Sequence, residues 1–489
     1  MSQSANAETA DLIIRNAILI DGTGAPGLPG DLAVTGNRIS AIGSSLDCNA
    51  ADEIDAGGKA LSPGFIDAHT HDDRAVLVDP AMSCKISQGV TTVVTGNCGV
   101  SIAPVTINER PPGPLDLICP NPSDFFPSFA EYFAALEKSP PTVNVIAQAG
   151  HASLRVGAMD RFDRAASEDE IEQMKALLRQ ALKDGAAGLS TGLYYPPANA
   201  APTEEIEALA HVLHEEGGFH STHMRDEAEG IIDSFEETFR IGRTAQVPVI
   251  ISHHKCVGMN NHGRSSETLP LIEAAMAKQQ IGMDVYPYVA SSTILQKVPV
   301  ERAARTLITW SEKVEGLEGR DIEEVAAEMG LSIEATIEAI SPAGAIYFLM
   351  DERDVKAIMA FPATMIGSDG LPHDRHPHPR LWGTFPRVLG HYSREEGIFP
   401  LETAVHKMTG LTARTFGLKN RGILEQGAYA DLVLFDPGTV IDTATFECPE
   451  SPADGISQVF VNGQRVWHDG AATQARPGKC LRGGKYLTQ

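Results

Sequence analysis

The feature that most constrains the fold is an alternation of strand-length apolar segments with amphipathic helical segments through the middle of the chain. Eight candidate strands occur in order, at residues 64–71, 91–99, 143–151, 186–192, 219–225, 247–254, 281–288 and 364–370. Between them lie segments with helical periodicity, such as 168–183 and 203–216. Buried-looking strands that alternate with helices form parallel sheets. Eight such units predict an α/β fold of the (β/α)8 TIM-barrel type.

The two ends of the chain have a different sequence pattern. Short β-rich segments separated by Gly and Pro turns fill the first sixty or so residues, and similar segments recur at 430–435 and 458–463. The middle of the chain lacks this pattern. We therefore expect a small sheet domain, assembled from both chain ends, beside a larger central domain.

The connection between candidate strands seven and eight is unusually long. It covers residues 289–363 and includes a helical stretch at 321–340. A connection of this length is uncommon unless it carries function. We interpret it as an inserted cap over the barrel mouth, and a surface insertion without a role in the site is the alternative.

Composition limits the class of partner. The chain has 489 residues and a formal net charge of -25, whereas binding to phosphate-rich surfaces needs clustered Lys and Arg. This balance argues against nucleic acid and anionic membranes as partners, but it says little about the substrate, because a locally basic pocket can lie in an acidic protein. No apolar run of about 18 residues occurs and the first ten residues are polar, so we expect the protein to lie in the cytoplasm.

Six polar side chains fall at or just beyond the carboxyl ends of candidate strands: His69, His71, Cys98, His223, His253 and Asp369. In a barrel these strand ends converge on one mouth, where the chemistry of such enzymes takes place. An i, i+2 spacing on a strand also turns His69 and His71 to the same face, so that both can reach one metal ion. The sequence therefore predicts a metal site at the barrel mouth.

The candidate ligands also indicate which metal would bind. Imidazole nitrogen, thiolate sulfur and carboxylate oxygen together favour Zn²⁺ over Mg²⁺ or Ca²⁺. A zinc ion with an open position lowers the pKa of its water to about 7 and so supplies hydroxide at neutral pH. This combination is typical of a hydrolase.

These residues carry a family resemblance. The His-x-His pair on strand one, single histidines on strands five and six, and the aspartate on strand eight resemble the amidohydrolase superfamily. The resemblance implies a (β/α)8 barrel with a flanking β-sandwich, here a barrel at 63–416 and a sandwich from 1–62 and 417–489. Many members bridge two metals through a strand-four lysine, which the segment 188–192 lacks.

More specific motifs narrow the resemblance. The segments TGNCG at 95–99, THMRDE at 222–227, SHHK at 252–255 and GSDGLPHD at 367–374 are similar to the N-acyl-D-amino-acid deacylase (D-aminoacylase) family. The similarity extends over essentially the whole chain. It implies one tightly bound zinc on Cys98, His223 and His253, and a second, weaker site formed by His69 and His71 with Asp369.

The resemblance implies hydrolysis of N-acyl-D-amino acids to a carboxylic acid and a free D-amino acid. We expect Asp369 to accept the proton of the attacking water and to return it to the leaving amine, as a carboxylate near a metal can.

The free carboxylate of the substrate needs basic partners in fixed positions. Lys255, Tyr286 and Arg380 are the candidates for this role. The preferred side chain stays open at this level. An inward-facing Arg302 would favour N-acyl-D-glutamate, whereas a pocket formed by Tyr347 and Met350 would favour apolar D-amino acids.

Two rival interpretations are weighed against the deacylase. A cyclic amidase of the dihydroorotase or hydantoinase type shares the His-x-His motif and the barrel, but the missing strand-four lysine and the strand-two cysteine count against it. A metal-binding protein without catalysis would be supported if Cys98 were buried away from His223 and His253.

Overall fold

The computed structural model describes residues 10–483. Its strands are β1 Ala10–Leu19, β2 Leu28–Thr35, β3 Arg38–Gly43, β4 Ala50–Asp55, β5 Ala60–Pro63, β6 Phe65–Asp67, β7 Val90–Thr95, β8 Asn144–Ala147, β9 Ala149–Gly150, β10 Gly188–Gly192, β11 Phe219–His223, β12 Val249–Ile251, β13 Ile281–Val285, β14 Ala290–Ile294, β15 Thr306–Ser311, β16 Ala343–Phe348, β17 Thr364–Ile366, β18 Leu432–Phe435, β19 Ile456–Val461, β20 Gln464–His468 and β21 Ala471–Ala472.

The helices are α1 Ala75–Val78, α2 Ser83–Ile86, α3 Leu115–Ile118, α4 Phe129–Lys138, α5 His151–Ala158, α6 Glu168–Asp184, α7 Thr203–Glu216, α8 Ile231–Ala245, α9 Ser265–Met276, α10 Lys297–Arg302, α11 Ile322–Met329, α12 Ile333–Ile340, α13 Glu352–Ala360, α14 Arg380–Arg387, α15 Leu401–Met408 and α16 Gly410–Thr415. Short 3₁₀ turns occur at Pro122–Asp124 and Met259–Asn261, and a π-helical segment spans Val388–Glu395. None of the helices in the described range is long and apolar enough to cross a membrane.

The central part of the chain is a closed parallel barrel. One sheet has the order β6-β7-β8 and the other β9-β10-β11-β12-β13-β17, and β8 and β9 follow one another across the single residue Gln148. A bridge between Thr70 and Gly370 joins the last barrel strand to the first. All eight candidate strands are thus confirmed, each shorter than its apolar segment, because the ends of those segments form loops.

Local sequence explains where the barrel helices begin and end. Helix α6 opens on a capping box between Ser167 and Glu170 and stops at Gly185, whose φ is +116°. Its buried side chains lie on one stripe, which packs the helix against the barrel. Each such unit carries the chain from one strand end back to the start of the next.

The chain ends form a second sheet. This nine-stranded sheet has the order β21-β20-β19-β18-β5-β1-β2-β3, with β4 paired to β1. Strands β5 and β18 are antiparallel neighbours, so the N-terminal and C-terminal segments meet in the middle of it. The expected sheet built from both ends is therefore present.

The long connection after β13 contains a small sheet of its own. Strands β14, β16 and β15 form an antiparallel sheet in that order, followed by α13. The helical stretch predicted at 321–340 is two helices, α11 and α12, because the chain turns at Gly330 with a φ of +66°. Helix α13 packs on β13 and β17, so this last part of the range 289–363 belongs to the barrel wall.

Candidate metal centre and active site

The His-x-His segment lies just beyond a barrel strand. Strand β6 ends at Asp67, so His69 and His71 occupy the following loop and the strand alternation predicted for them is wrong. Asp67 Oδ1 accepts hydrogen bonds from the backbone N–H of Ser368 at 2.7 Å and of His69 at 3.4 Å. This carboxylate therefore fixes the histidine loop against the end of β17.

Cys98 lies at the centre of the cluster. Its Sγ is 3.2 Å from His69 Nε2 and 3.2 Å from His253 Nε2. Ligand atoms of Cys98, His223 and His253 all lie within 4.8 Å of one another, and the same holds for His69, His71, Cys98 and Asp369. The two groups therefore share one sulfur atom.

Three of these residues have an unusual backbone. Cys98, His253 and Asp369 have φ angles of 52°, 36° and 50°, in the left-handed region that non-glycine residues seldom adopt. Such conformations cluster at functional sites, where the surrounding structure imposes them. Here they turn each side chain from its strand end into the shared centre.

The electrostatics of the centre favour its anionic groups. Burial alone would raise the pKa of the Cys98 thiol, but His69 and His253 outweigh it and hold that pKa well below its usual range. Burial likewise opposes ionisation of Asp369. Arg380 outweighs this effect, together with His253 and His71, and the pKa of the Asp369 carboxyl is well below its usual range.

The donor set fits zinc. A buried thiolate with two histidines is a common zinc ligand set, and three protein ligands leave a position open, as in catalytic sites. In the second group, His71 Nε2 lies 3.1 Å from Asp369 Oδ1, and Asp369 Oδ2 lies 2.9 Å from Arg380 Nη1. That group offers nitrogen and oxygen ligands around the same sulfur.

An open cavity lies above the cluster. Its wall includes His71, Cys98, His223, His253 and Asp369, so the candidate ligands face an open space.

The predicted substrate residues are divided between two spaces. Lys255, Arg302 and Tyr347 lie on the wall of the large cavity. Tyr286 and Met350 line a smaller neighbouring space, which Lys255 also borders. Arg380 is fully buried and lies behind Asp369, with its guanidinium 4.5 Å from the Tyr286 ring centre.

Glu227 is a member of the site that the sequence analysis did not single out. Its side chain is buried, lies on the cavity wall and contacts Lys255 Nζ at 2.6 Å. It lies 3.4 Å from His223 Nε2 and 3.3 Å from His253 Nδ1. Its place four residues after His223, in the same motif, was the available signal.

Comparison with known proteins shows similarity to amidohydrolases over most of the chain. The amidohydrolase family profile matches residues 52–262 and 311–467. D-aminoacylase of Alcaligenes xylosoxydans xylosoxydans is 55% identical, over 98% of this chain and 99% of that protein. The N-acyl-D-aspartate deacylase and the N-acyl-D-glutamate deacylase of the same organism are 52% and 43% identical, over 98% and 97% of this chain and 96% and 97% of theirs.

Solved structures agree in fold. D-aminoacylase, known with a binuclear metal centre, superposes with a TM-score of 0.94 over 97% of this chain and 100% of its own, at 55% identity. N-acyl-D-glutamate deacylase of Bordetella bronchiseptica, complexed with zinc and a phosphonate inhibitor, has the same score and coverage at 44% identity. At 16% identity and a TM-score of 0.61, L-hydantoinase of Arthrobacter aurescens shares the fold over 97% of this chain and 100% of its own. The chain therefore belongs to the D-aminoacylase family of amidohydrolases.

Proposed function

We propose that this protein is a zinc-dependent hydrolase of N-acyl-D-amino acids, which releases a carboxylic acid and the free D-amino acid. The observation that carries the proposal is Cys98, placed between two sets of ligands at the mouth of a barrel whose strand four offers no lysine. The full-length relatives at 55%, 52% and 43% identity, all deacylases of D-amino acids by name, support the same activity.

Cys98, His223 and His253 would hold the tightly bound zinc. His69 and His71 with Asp369 would form the weaker second site, which shares the sulfur of Cys98. When bound, zinc supplies Lewis-acid polarisation and lowers the pKa of a water molecule towards neutrality. Replacing His69 by Asn is expected to leave one tightly bound zinc per chain, which metal analysis measures.

Asp369 would act as the general base and then as the acid. Its carboxylate is ionised, because Arg380 and the neighbouring histidines oppose the effect of burial on its pKa. Asp369 accepts a proton from the attacking water as the oxygen adds to the amide carbon. It returns that proton to the nitrogen as the C–N bond breaks, so the amine leaves neutral.

Lys255, Tyr286 and Arg380 would hold the free carboxylate of the substrate. Burial favours loss of the Lys255 proton, but Glu227 outweighs it and raises the pKa of that ammonium, which keeps its charge. The hydroxyl of Tyr286 is buried without a hydrogen-bond partner among residues 10–483. The ring of Tyr286 has two cations nearby, with Lys255 Nζ 5.9 Å and the Arg380 guanidinium 4.5 Å from its centre. A carboxylate needs such donors.

Two side-chain preferences follow from the cavity wall. Tyr347 turns its hydroxyl away from solvent, to Ile294 O at 2.8 Å, which leaves its ring to face an apolar substrate such as N-acetyl-D-methionine. Arg302 is the observation that favours the alternative, an N-acyl-D-glutamate-selective enzyme, although Glu229 already pairs with it at 2.7 Å. Met350 would act from the adjoining space.

The domain roles belong to the same proposal. Residues 1–62 and 417–489 would form the flanking β-sandwich, of which 1–9 and 484–489 lie outside the described residues. Residues 63–416 would form the catalytic barrel and 289–363 the inserted cap, apart from α13, which packs on the barrel strands β13 and β17. The cap is supported by Tyr347 and Arg302 on the cavity wall, and by the hydrogen bond from Thr293 Oγ1 to Tyr195 Oη at 2.9 Å.

The test is a substrate panel with and without zinc. N-acetyl-D-methionine, N-acetyl-D-glutamate, N-acetyl-D-aspartate and their L forms are compared with dihydroorotate and a hydantoin. We expect hydrolysis of D forms only, lost after chelation and restored by zinc. Arg302→Ala should remove activity on the acidic substrates and spare the apolar one. The proposal would be contradicted if only the cyclic amides were hydrolysed, or if the zinc-loaded protein hydrolysed none of the substrates.

A further inference from the structure

We propose that Glu227 is a positioning residue that sets the metal-binding tautomer of His253. The inference rests on the proposed function, since it concerns the zinc site that function requires. Glu227 is buried against three groups of that site: His223, His253 and Lys255.

The two nitrogens of His253 face different neighbours. Nε2 points at Cys98 Sγ, 3.2 Å away, and is therefore the atom on the metal side. Nδ1 faces Glu227 Oε1 at 3.3 Å and Lys255 Nζ at 2.8 Å. The hydrogen bond that Nδ1 makes decides whether Nε2 carries a hydrogen or a free lone pair.

These two neighbours favour opposite tautomers. An ammonium can only donate, so Lys255 can bond to Nδ1 only when the hydrogen lies on Nε2, where it blocks metal binding. A carboxylate can only accept, so Glu227 requires the hydrogen on Nδ1 and leaves the Nε2 lone pair free. Glu227 thus favours the tautomer that zinc needs, and Lys255 opposes it.

Glu227 also restrains its competitor. Its Oε2 lies 2.6 Å from Lys255 Nζ, closer than Nδ1 is to that ammonium, and a charge-assisted bond is the stronger of the two. The carboxylate therefore holds the cation through Oε2. Its Oε1 is buried 3.3 Å from Nδ1 and has no hydrogen-bond partner among residues 10–483, so it is free to accept when Nδ1 carries the hydrogen. Carboxylates that orient metal-binding histidines raise metal affinity by about 10- to 100-fold.

The experiment measures zinc affinity by competition with a chelator, without substrate, in wild type, Glu227→Gln, Lys255→Met and the double variant. Glu227→Gln is expected to bind zinc about 10- to 100-fold more weakly. Lys255→Met should bind zinc at least as well as wild type. In its background Glu227→Gln should still weaken zinc binding, because the carboxylate that orients His253 is lost, but by a smaller factor, because the competing donor is gone.

Glu237→Gln is the matched control. Glu237 is a mostly buried carboxylate on α8 of the same barrel unit, where it pairs with Arg225 at 2.8 Å and touches none of the candidate ligands. It should leave zinc affinity unchanged. Circular dichroism of each variant separates loss of zinc from loss of fold.

Three results would overturn the inference. Zinc bound equally by wild type and Glu227→Gln would remove the role of Glu227, and an equal loss in both Lys255 backgrounds would remove the tautomer argument. If Glu227→Gln alone fails to fold, the double variant is compared with Lys255→Met instead, because it buries no unpaired cation. Equal zinc affinities in these two variants would contradict the inference. A wild type that binds no zinc would instead contradict the proposed function itself.

Discussion

Cys98 is the side chain on which the two ligand groups depend. Its sulfur lies within 3.2 Å of a histidine from each group, so removal of one thiol would disturb both. The sequence pointed to it by a strand-end position between glycines. Its left-handed φ of 52° was not predicted, because that conformation is imposed by neighbours distant in the chain.

The general-base role proposed for Asp369 leads to the first prediction. Asp369→Asn keeps the size of the side chain but removes the acceptor for the water proton. We expect zinc to stay on Cys98, His223 and His253, while kcat for N-acetyl-D-methionine falls by about 10²-fold or more. Zinc content and kcat measured on one preparation check both parts, and full activity would end the assignment.

At the scale of elements, the strand ends decide where the ligands can lie. The β-then-α alternation predicted all eight barrel strands, since burial on both faces leaves a clear apolar pattern. The same pattern placed His69 and His71 on a strand, although β6 ends at Asp67. Periodicity cannot report that end, because hydrogen bonds to the distant β17 region set it.

Strand β10 supplies the second prediction. A Cβ on Gly192 would overlap the carbonyl oxygen of Cys98, so this glycine lets the cysteine loop approach the strand. Gly192→Ala is expected to destabilise the protein by about 1–3 kcal/mol and to weaken zinc binding.

Gly188→Ala is the control at the other end of β10. Its Cβ would overlap the carbonyl oxygen of Phe219, far from the ligands. Stability should fall in this variant too, with zinc affinity retained. Equal zinc affinities in the two variants would refute the special role of Gly192.

The packing of α15 on β17 supplies a pH-dependent prediction. Burial lowers the pKa of Lys407 to about 8, although its Nζ donates to Phe361 O and Thr364 O. Between pH 8 and about 10.4, the unfolded value, the unfolded chain holds the proton and the folded one does not. The free energy of unfolding therefore increases as pH rises through that window and decreases as pH falls through it.

Lys407→Met removes that titration. The stability of wild type relative to the variant should grow by about 1.4 kcal/mol per pH unit across the window, and stay constant below pH 8. Urea unfolding of both proteins at pH 7, 8, 9 and 10 measures the difference. A difference independent of pH would show that the Lys407 pKa is not lowered.

At the scale of the whole molecule, a buried polar junction joins the terminal sheet to the barrel. Asp431 pairs with Arg421 and accepts from Asn144 Nδ2 at 3.2 Å and from the backbone N–H of Asn462 at 2.7 Å. Asn144 begins β8 of the barrel, whereas Asn462 follows β19 of the terminal sheet. The two parts are thus held together by buried polar groups.

This junction gives the fourth prediction. Asp431→Ala leaves the buried guanidinium of Arg421 without its ion-pair partner and should lower the free energy of unfolding by about 3–5 kcal/mol. The exposed pair of Asp52 and Arg465 serves as the control, and Asp52→Ala should cost less than about 1 kcal/mol. Thermal unfolding gives both values, with zinc content unchanged in each. Equal costs would contradict the importance of the buried junction.

The sequence alone determined the barrel, the sheet made from both chain ends, and the six residues that meet at the barrel mouth. These features follow from local sequence patterns, because apolar periodicity indicates burial and motif spacing indicates strand position. Only the tertiary structure decided that Glu227 touches two histidines, that Met350 lies in a separate space, and that three site residues adopt left-handed backbone. Such features arise from contacts between distant segments, which no local pattern encodes.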